Sequence, residues 1–170
     1  IMTDFSYQLY SSRNFGPLEA TLEMVAKCGY KQVEAYGGLY EDLDRLEKAL
    51  AVNGLRMPTG HFDLTLVEKT PNKAIEIAKR LGMTAVIVPF LNPDDRPADA
   101  KGWTKFADRL SEAGKPILDA GLTFGWHNHE FEFNTLEGGE KPLDLILQSE
   151  NGVSLELDLA WVAVGGESPA

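Results

Sequence analysis

Cysteine is nearly absent from this sequence: Cys28 is the only one in 170 residues. An internal disulfide and any Cys-based metal cluster are therefore excluded. Cys28 sits beside Gly29 at the end of an apolar helical pattern, where it is expected to be a buried, inert thiol. Basic residues are scarce too, with 16 Lys and Arg against 26 Asp and Glu and a formal net charge of -10. That balance repels a phosphate backbone and disfavours polybasic contact with an anionic bilayer, so neither nucleic acid nor membrane is an expected partner. Long apolar runs are missing; stretches such as Ala85 to Val88 fall far short of a membrane span. No basic n-region with an apolar h-region opens the sequence, and this, with the lack of a disulfide, makes a cytoplasmic location the expectation. No G-x-G-x-x-G follows an apolar run, which removes the usual dinucleotide fingerprint.

What is present is a repeating grammar. Gly29, Gly54, Gly82, Gly121 and Gly152 each follow a helix-like stretch and precede a short run rich in β-branched or aromatic residues. The runs read GYKQVEAYG, GLRMPTGHFDL, GMTAVIVPFL, GLTFGWHNHEF and GVSLELDLAW. A glycine just past a helix enters the left-handed region without a Cβ penalty. Between the glycines the apolar residues keep a helical period. Leu18, Leu22, Val25 and Ala26 line one stretch, and Leu43, Leu46 and Leu50 the next. Ile75, Ala78 and Leu81 line a third, opened by Thr70 as N-cap and Pro71 at N1. Trp103, Phe106, Ala107, Leu110, Ala113, Ile117 and Leu118 line the longest, in which Pro116 predicts a kink or restart near Gly114. A short fifth helix follows Pro142.

With FSYQLY as the first strand, six strands alternate with five helices. Nearly continuous apolar runs such as AVIVPF suit a parallel sheet buried on both faces. The class is α/β, either a doubly wound open sheet or most of a (β/α)₈ barrel. Both place their sites at the carboxyl ends of the strands. Gln8, Glu34, His61 and Asp63 stand at such ends, as do His127-Asn128-His129-Glu130-Phe131-Glu132 and Asp158. All three histidines of the chain thus share one expected rim. Asp158, after an apolar strand, needs a partner or a metal if buried. Imidazoles and carboxylates from different strands form a mixed N/O set suited to Mn²⁺, Mg²⁺, Co²⁺ or Zn²⁺. Such an ion polarises a carbonyl and its neighbouring hydroxyl, and a nearby carboxylate or imidazole carries the proton.

These residues resemble the xylose isomerase-like (β/α)₈ barrels, the sugar phosphate isomerase/epimerase group, whose superfamily includes inosose dehydratases and endonuclease IV-type repair enzymes. The resemblance rests on SYQLYSSR, QVEAYGG and GHFDL, and most of all on FGWHNHEFEF and LELDLAWVAVGG. It implies a xylose isomerase-like TIM barrel, with residues 1–170 as one partial domain of about six βα units, because a full barrel needs about 250 residues. The unpaired edges of strands one and six would invite association, including a homo-oligomer. The family's metal is held by a strand-five Glu, a strand-six Asp, a strand-seven His and a strand-eight Glu. Asp158 matches the strand-six ligand, while His127 occupies the strand-five position, so that His127 or Glu132 supplies that ligand here. Mn²⁺ is the expected ion. His61 matches a strand-three histidine that faces substrate, and Glu34 a strand-two position near the pocket. His129 and His61 would orient sugar hydroxyls. Trp161 stands where many relatives carry a histidine three residues after the strand-six Asp, which argues against the multi-zinc DNA-repair members.

The function implied is a metal-dependent sugar or sugar-phosphate isomerase/epimerase that abstracts a proton next to a carbonyl and passes through an enediolate. An alternative is a dehydratase or lyase on a keto-sugar or keto-inositol, distinguished by an unsaturated product. Another is a non-catalytic sugar-binding or assembly module, which would bind ligand without turnover even with metal added. An abasic-site endonuclease would bind DNA with a steep salt dependence.

Overall fold

The computed structural model describes residues 4–148 and 152–170. Six strands form one parallel sheet: β1 (Ser6–Gln8), β2 (Gln32–Ala35), β3 (Arg56–His61), β4 (Ala85–Val88), β5 (Thr123–His127) and β6 (Val153–Glu156). Their spatial order is their chain order. Each strand therefore lies beside its predecessor, which is the winding of a barrel wall and not of a doubly wound sheet, whose order reverses at a switch point. Seven α-helices connect and follow them: α1 (Leu18–Lys27), α2 (Leu43–Asn53), α3 (Leu64–Lys69), α4 (Pro71–Arg80), α5 (Ala100–Asp119), α6 (Pro142–Leu147) and α7 (Leu159–Val164). Among the described residues, no helix is long and apolar enough to cross a membrane.

Side chains alternate across a strand. On the helix-covered face, Val33, Ala35, Val86, Val88, Phe124 and Trp126 are buried against Leu22, Val25, Leu46, Ala78, Leu110 and Ile117. The helix stripes expected from the periodicity face this layer. The punctuation holds as well. At the end of α2, Gly54 sits at φ 61°, so its N–H can turn back to Leu50 and Ala51 carbonyls, and Gly29, Gly82, Gly121 and Gly152 also have positive φ.

Four local expectations are corrected. The segment around Pro116 does not break: α5 runs unbroken to Asp119, and the Ala120 N–H still reaches the Pro116 carbonyl at 3.1 Å. Pro116 lies in the last turn, where its fixed φ is helical and only one hydrogen bond is lost. Thr70 stands at the start of α4 but does not cap it, because its hydroxyl donates to the Leu66 carbonyl at 3.0 Å. Cys28 is exposed, since α1 turns it outward beside Lys27. Helices α3 and α7 went unforeseen because six residues are too few to display a period.

Gly114 marks a close approach between helix and sheet: a Cβ there would collide with the ring of buried Phe124. In an exposed helix, Gly→Ala is stabilising by about 1 kcal/mol. Here the overpacking wins, and Gly114→Ala is expected to lower stability by about 1–3 kcal/mol, read from its chemical-denaturation midpoint.

Candidate functional site

The face of the sheet opposite the helices carries the chemistry. Gln8, Glu34, His61, His127 and Glu156 stand at or next to the last residue of β1, β2, β3, β5 and β6. In the parallel register Gln8 pairs with Glu34 and His127 with Glu156. Pairing alone brings only neighbours together; curvature does the rest. Flat strands spaced about 4.8 Å would hold β3 and β6 about 14 Å apart. Instead, His61 Nε2 of β3 lies 2.7 Å from Glu156 Oε2 of β6. His127 Nδ1 of β5 reaches the same oxygen at 2.9 Å. The two imidazole rings stand 4.9 Å apart between centroids.

One carboxylate oxygen thus accepts from two imidazole N–H groups. With the proton of His61 on Nε2, its Nδ1 is free to accept from Gln8 Nε2, at 3.4 Å. Burial would raise the pKa of Glu156, but the hydrogen bonds from His127 and His61 outweigh it and hold the carboxyl well below the usual range. Glu34, buried beside it, goes the other way. Desolvation first, and then its hydrogen bond to the Glu156 carboxylate, push Glu34 up to about 7. Its Oε1 lies 3.3 Å from His61 Nε2, and its Oε2 accepts from the Thr59 hydroxyl at 2.5 Å. Two carboxyl groups in one desolvated site are separated into an ionised member and a member that exchanges its proton near neutrality.

Each residue singled out from the sequence has a definite place. His61 and His127 join Glu156 in a group whose ligand atoms all lie within 4.8 Å of one another. Asp158 lies at its margin, with Oδ2 3.7 Å from His127 Nε2 and Oδ1 capping α7 through the Ala160 and Trp161 N–H groups. Glu132, expected among the metal donors, lies apart. It is fully buried on the helix side, accepting from Trp126 Nε1 and from the His129 N–H, both at 2.9 Å. Asp63 caps α3 through Thr65 N–H. His129 sits among rings of Phe90, Phe131 and Trp161, and its Nδ1 is buried with no partner among the described residues. Desolvation, helped by the charge of His127, lowers the pKa of His129 and keeps the ring neutral.

One residue escaped the sequence reading, and another, Asn128, stood among the strand-end residues with no role assigned to it. Glu156 was overlooked for Asp158, two positions on, which matched a family ligand. The alternation in VSLELDL held the signal, because Ser154 and Glu156 share one parity and Val153 and Leu155 the other. Asn128 is fully buried, and its amide both donates to the Asp158 carbonyl at 3.2 Å and accepts from the Asp158 N–H at 2.8 Å. It fastens the end of β5 to the start of α7.

Two neutral nitrogen donors and one carboxylate oxygen, without sulfur, form a donor set that suits a divalent ion such as Zn²⁺, Mn²⁺ or Co²⁺. The residues present therefore fit a metal.

No family model matches the chain, and no curated protein does either. Solved structures do. A sugar phosphate isomerase/epimerase from Parabacteroides distasonis aligns with a TM-score of 0.82 at 22% identity, over 99% of this chain and 70% of its own. The IOLI protein, with a bound zinc atom, aligns at 0.73 and 19% identity, over 98% of this chain and 66% of its own. The probable 3-DHS dehydratase AsbF from Bacillus anthracis aligns at 0.70 and 12% identity, over 98% and 67%. An AP endonuclease of family 2, a xylose isomerase-like TIM barrel fusion protein and D-psicose 3-epimerase in the presence of D-fructose match as well. The fold is that of the xylose isomerase-like TIM barrels, and the barrel is incomplete in these 170 residues, which hold six of its βα units.

Glu132 gives this region a pH signature. Burial, set against its backbone and Trp126 hydrogen bonds, raises its pKa to about 7. A carboxyl raised on folding holds its proton more tightly in the folded chain. Its stabilising contribution is complete below the ordinary carboxylate range and is lost as pH rises through about 7. Denaturation midpoints of the wild-type chain should therefore fall between about pH 5 and pH 8, and the fall should be smaller in Glu132→Gln.

Proposed function

We propose that this chain carries the site of a metal-dependent sugar isomerase or epimerase that moves a proton on the carbon next to a carbonyl, by way of an enediolate. The observation that supports it is the convergence of His61, His127 and Glu156 from three strands beside Glu34, a carboxyl poised near neutral pH. The resemblance of the fold to sugar isomerases and epimerases supports the same reading. The proton chemistry is the same for a free sugar and for a sugar phosphate.

In this proposal His61, His127 and Glu156 hold the ion, with Asp158 at the margin through its uncommitted Oδ2. A divalent cation there supplies Lewis acidity, which lowers the pKa of the carbon acid next to the sugar carbonyl. Glu34 accepts and returns the proton: its carboxyl stands beside the three proposed ligands, 3.3 Å from His61 Nε2, where it can reach a carbon next to a carbonyl bound at the ion. Thr59 holds one Glu34 oxygen still, so that the other, Oε1, points toward His61 and the shared site. Glu156 stays ionised, and without the ion its hydrogen bonds keep both imidazoles oriented; a bound ion would take the place of those N–H protons. His129, neutral and with its Nδ1 buried, borders the proposed sugar site as a ring, and Phe90 and Trp161 exclude water beside it.

Two variants separate binding from proton transfer. Glu156→Gln should weaken Mn²⁺ or Zn²⁺ affinity by about 10–100-fold or more, measured by calorimetry on the chelator-stripped protein. Glu34→Gln should leave that affinity within a few-fold and lower kcat by about 10²–10⁴ in interconversion of ketohexoses, followed by chromatography. Full turnover after chelation, or a Glu34→Gln enzyme as fast as wild type, would sink the mechanism.

A further inference from the structure

The arginines of this acidic chain are distributed unevenly. There are six, and four of them serve the outer surface as carboxylate partners: Arg45 with Glu19, Arg56 with Asp4, Arg80 with Asp44 and Glu47, and Arg109 with Glu68. Arg13 is exposed, its guanidinium over the Tyr10 ring and bonded to the Tyr10 carbonyl. Arg96 differs from all of these. It lies half-buried in the loop after β4, at the rim that carries the His61–His127–Glu156 group.

Arg96 is held in place without being neutralised. Its Nε donates to the Leu91 carbonyl at 3.0 Å, and its guanidinium carbon stands 3.6 Å above the Phe131 ring and 5.2 Å from that of Phe90. The two terminal nitrogens have no hydrogen-bond or ion-pair partner among the described residues. Acidic neighbours are close in sequence but occupied: the Asp99 carboxylate caps α5 through Gly102 N–H, and the Asp95 carboxylate meets Asn92 Nδ2 at 3.4 Å. The rings under Arg96 are the ones around the candidate site, since Phe90 lies 5.2 Å and Phe131 6.1 Å from the His129 ring. His129 in turn lies 5.2 Å from His127.

From this placement we infer that Arg96 is a specificity-determining residue that selects a substrate bearing an oxyanion, a carboxylate or a phosphate, over a neutral sugar. A guanidinium oriented by a backbone bond and a ring face, with a fork of N–H groups left over, is the arrangement that binds such groups bidentately. The need is physical as well. Glu156, Asp158 and, once it has lost its proton, Glu34 make the rim acidic, and without a local cation an anionic substrate would be repelled from it. This inference rests on the proposed sugar-binding role of the same site and narrows its substrate class.

The test is titration calorimetry of the full chain with three sugars: neutral D-fructose, D-fructose 6-phosphate and D-glucuronate. One anionic sugar should bind about tenfold or more tightly than D-fructose. Arg96→Gln should bring that ratio to about one and leave D-fructose affinity within about twofold. Arg96→Lys separates the sources, since a phosphate preference survives a point charge in part and a bidentate carboxylate preference does not. A thermal melt of each variant shows that it is folded, and because Arg96→Lys keeps the charge it reads out even if Arg96→Gln does not fold. Equal affinity for all three sugars, or an anionic preference that persists in Arg96→Gln, overturns the inference while leaving the sugar site standing. Binding of none of the three overturns both.

Discussion

Glu156 Oε2 joins two histidines that the chain places on strands β3 and β5, and most of the site follows from that bridge. A carboxylate drawn partly out of water is costly unless it gathers hydrogen bonds from groups able to bear charge. His61 and His127 provide them, and in doing so fix which ring nitrogens carry protons and where both rings stand. The bridge also spans the concave face of the sheet, so it can form only if the sheet curls. Barrel curvature and site geometry are therefore one constraint seen from two sides.

The neighbouring carboxyl is set by the same bridge. Burial first, and then the ionised Glu156 close by, make it costly for Glu34 to ionise as well, and its proton is held until about neutral pH. The separation of two similar side chains into a fixed anion and a titrating acid needs no unusual residue. It needs only burial, proximity and an unequal supply of imidazole N–H groups. On the other side of the sheet Glu132 is raised by burial alone, and its oxygens serve Trp126 and the β5 turn. Similar perturbed acids thus do different work, and the face of the strand decides which.

Much of this was legible in the sequence. The five glycines and the stripes between them mark the βα units, and the histidines read as strand-end residues are found at one rim. Asp158 and Glu132 show where linear reading stops. Glu132 stands beside two of the histidines in sequence and Asp158 follows the neighbouring strand, yet Asp158 spends one oxygen on capping α7 and Glu132 turns to the helix layer. Glu156 was readable only by counting parity along VSLELDL, because a strand tells its two faces apart by single steps. Helices α3 and α7 lacked the length for a period to show.

By itself, then, the sequence determined the α/β class, the strand-helix rhythm and the set of groups available at the strand ends, since these depend on local propensity and on periods of two and 3.6 residues. Tertiary structure alone decided that β3 and β6 approach, that Glu156 and not Glu132 meets the histidines, and that Arg96 is left without a carboxylate. Those outcomes depend on sheet curvature and on distances between residues as much as 95 positions apart, such as His61 and Glu156, which no local pattern encodes.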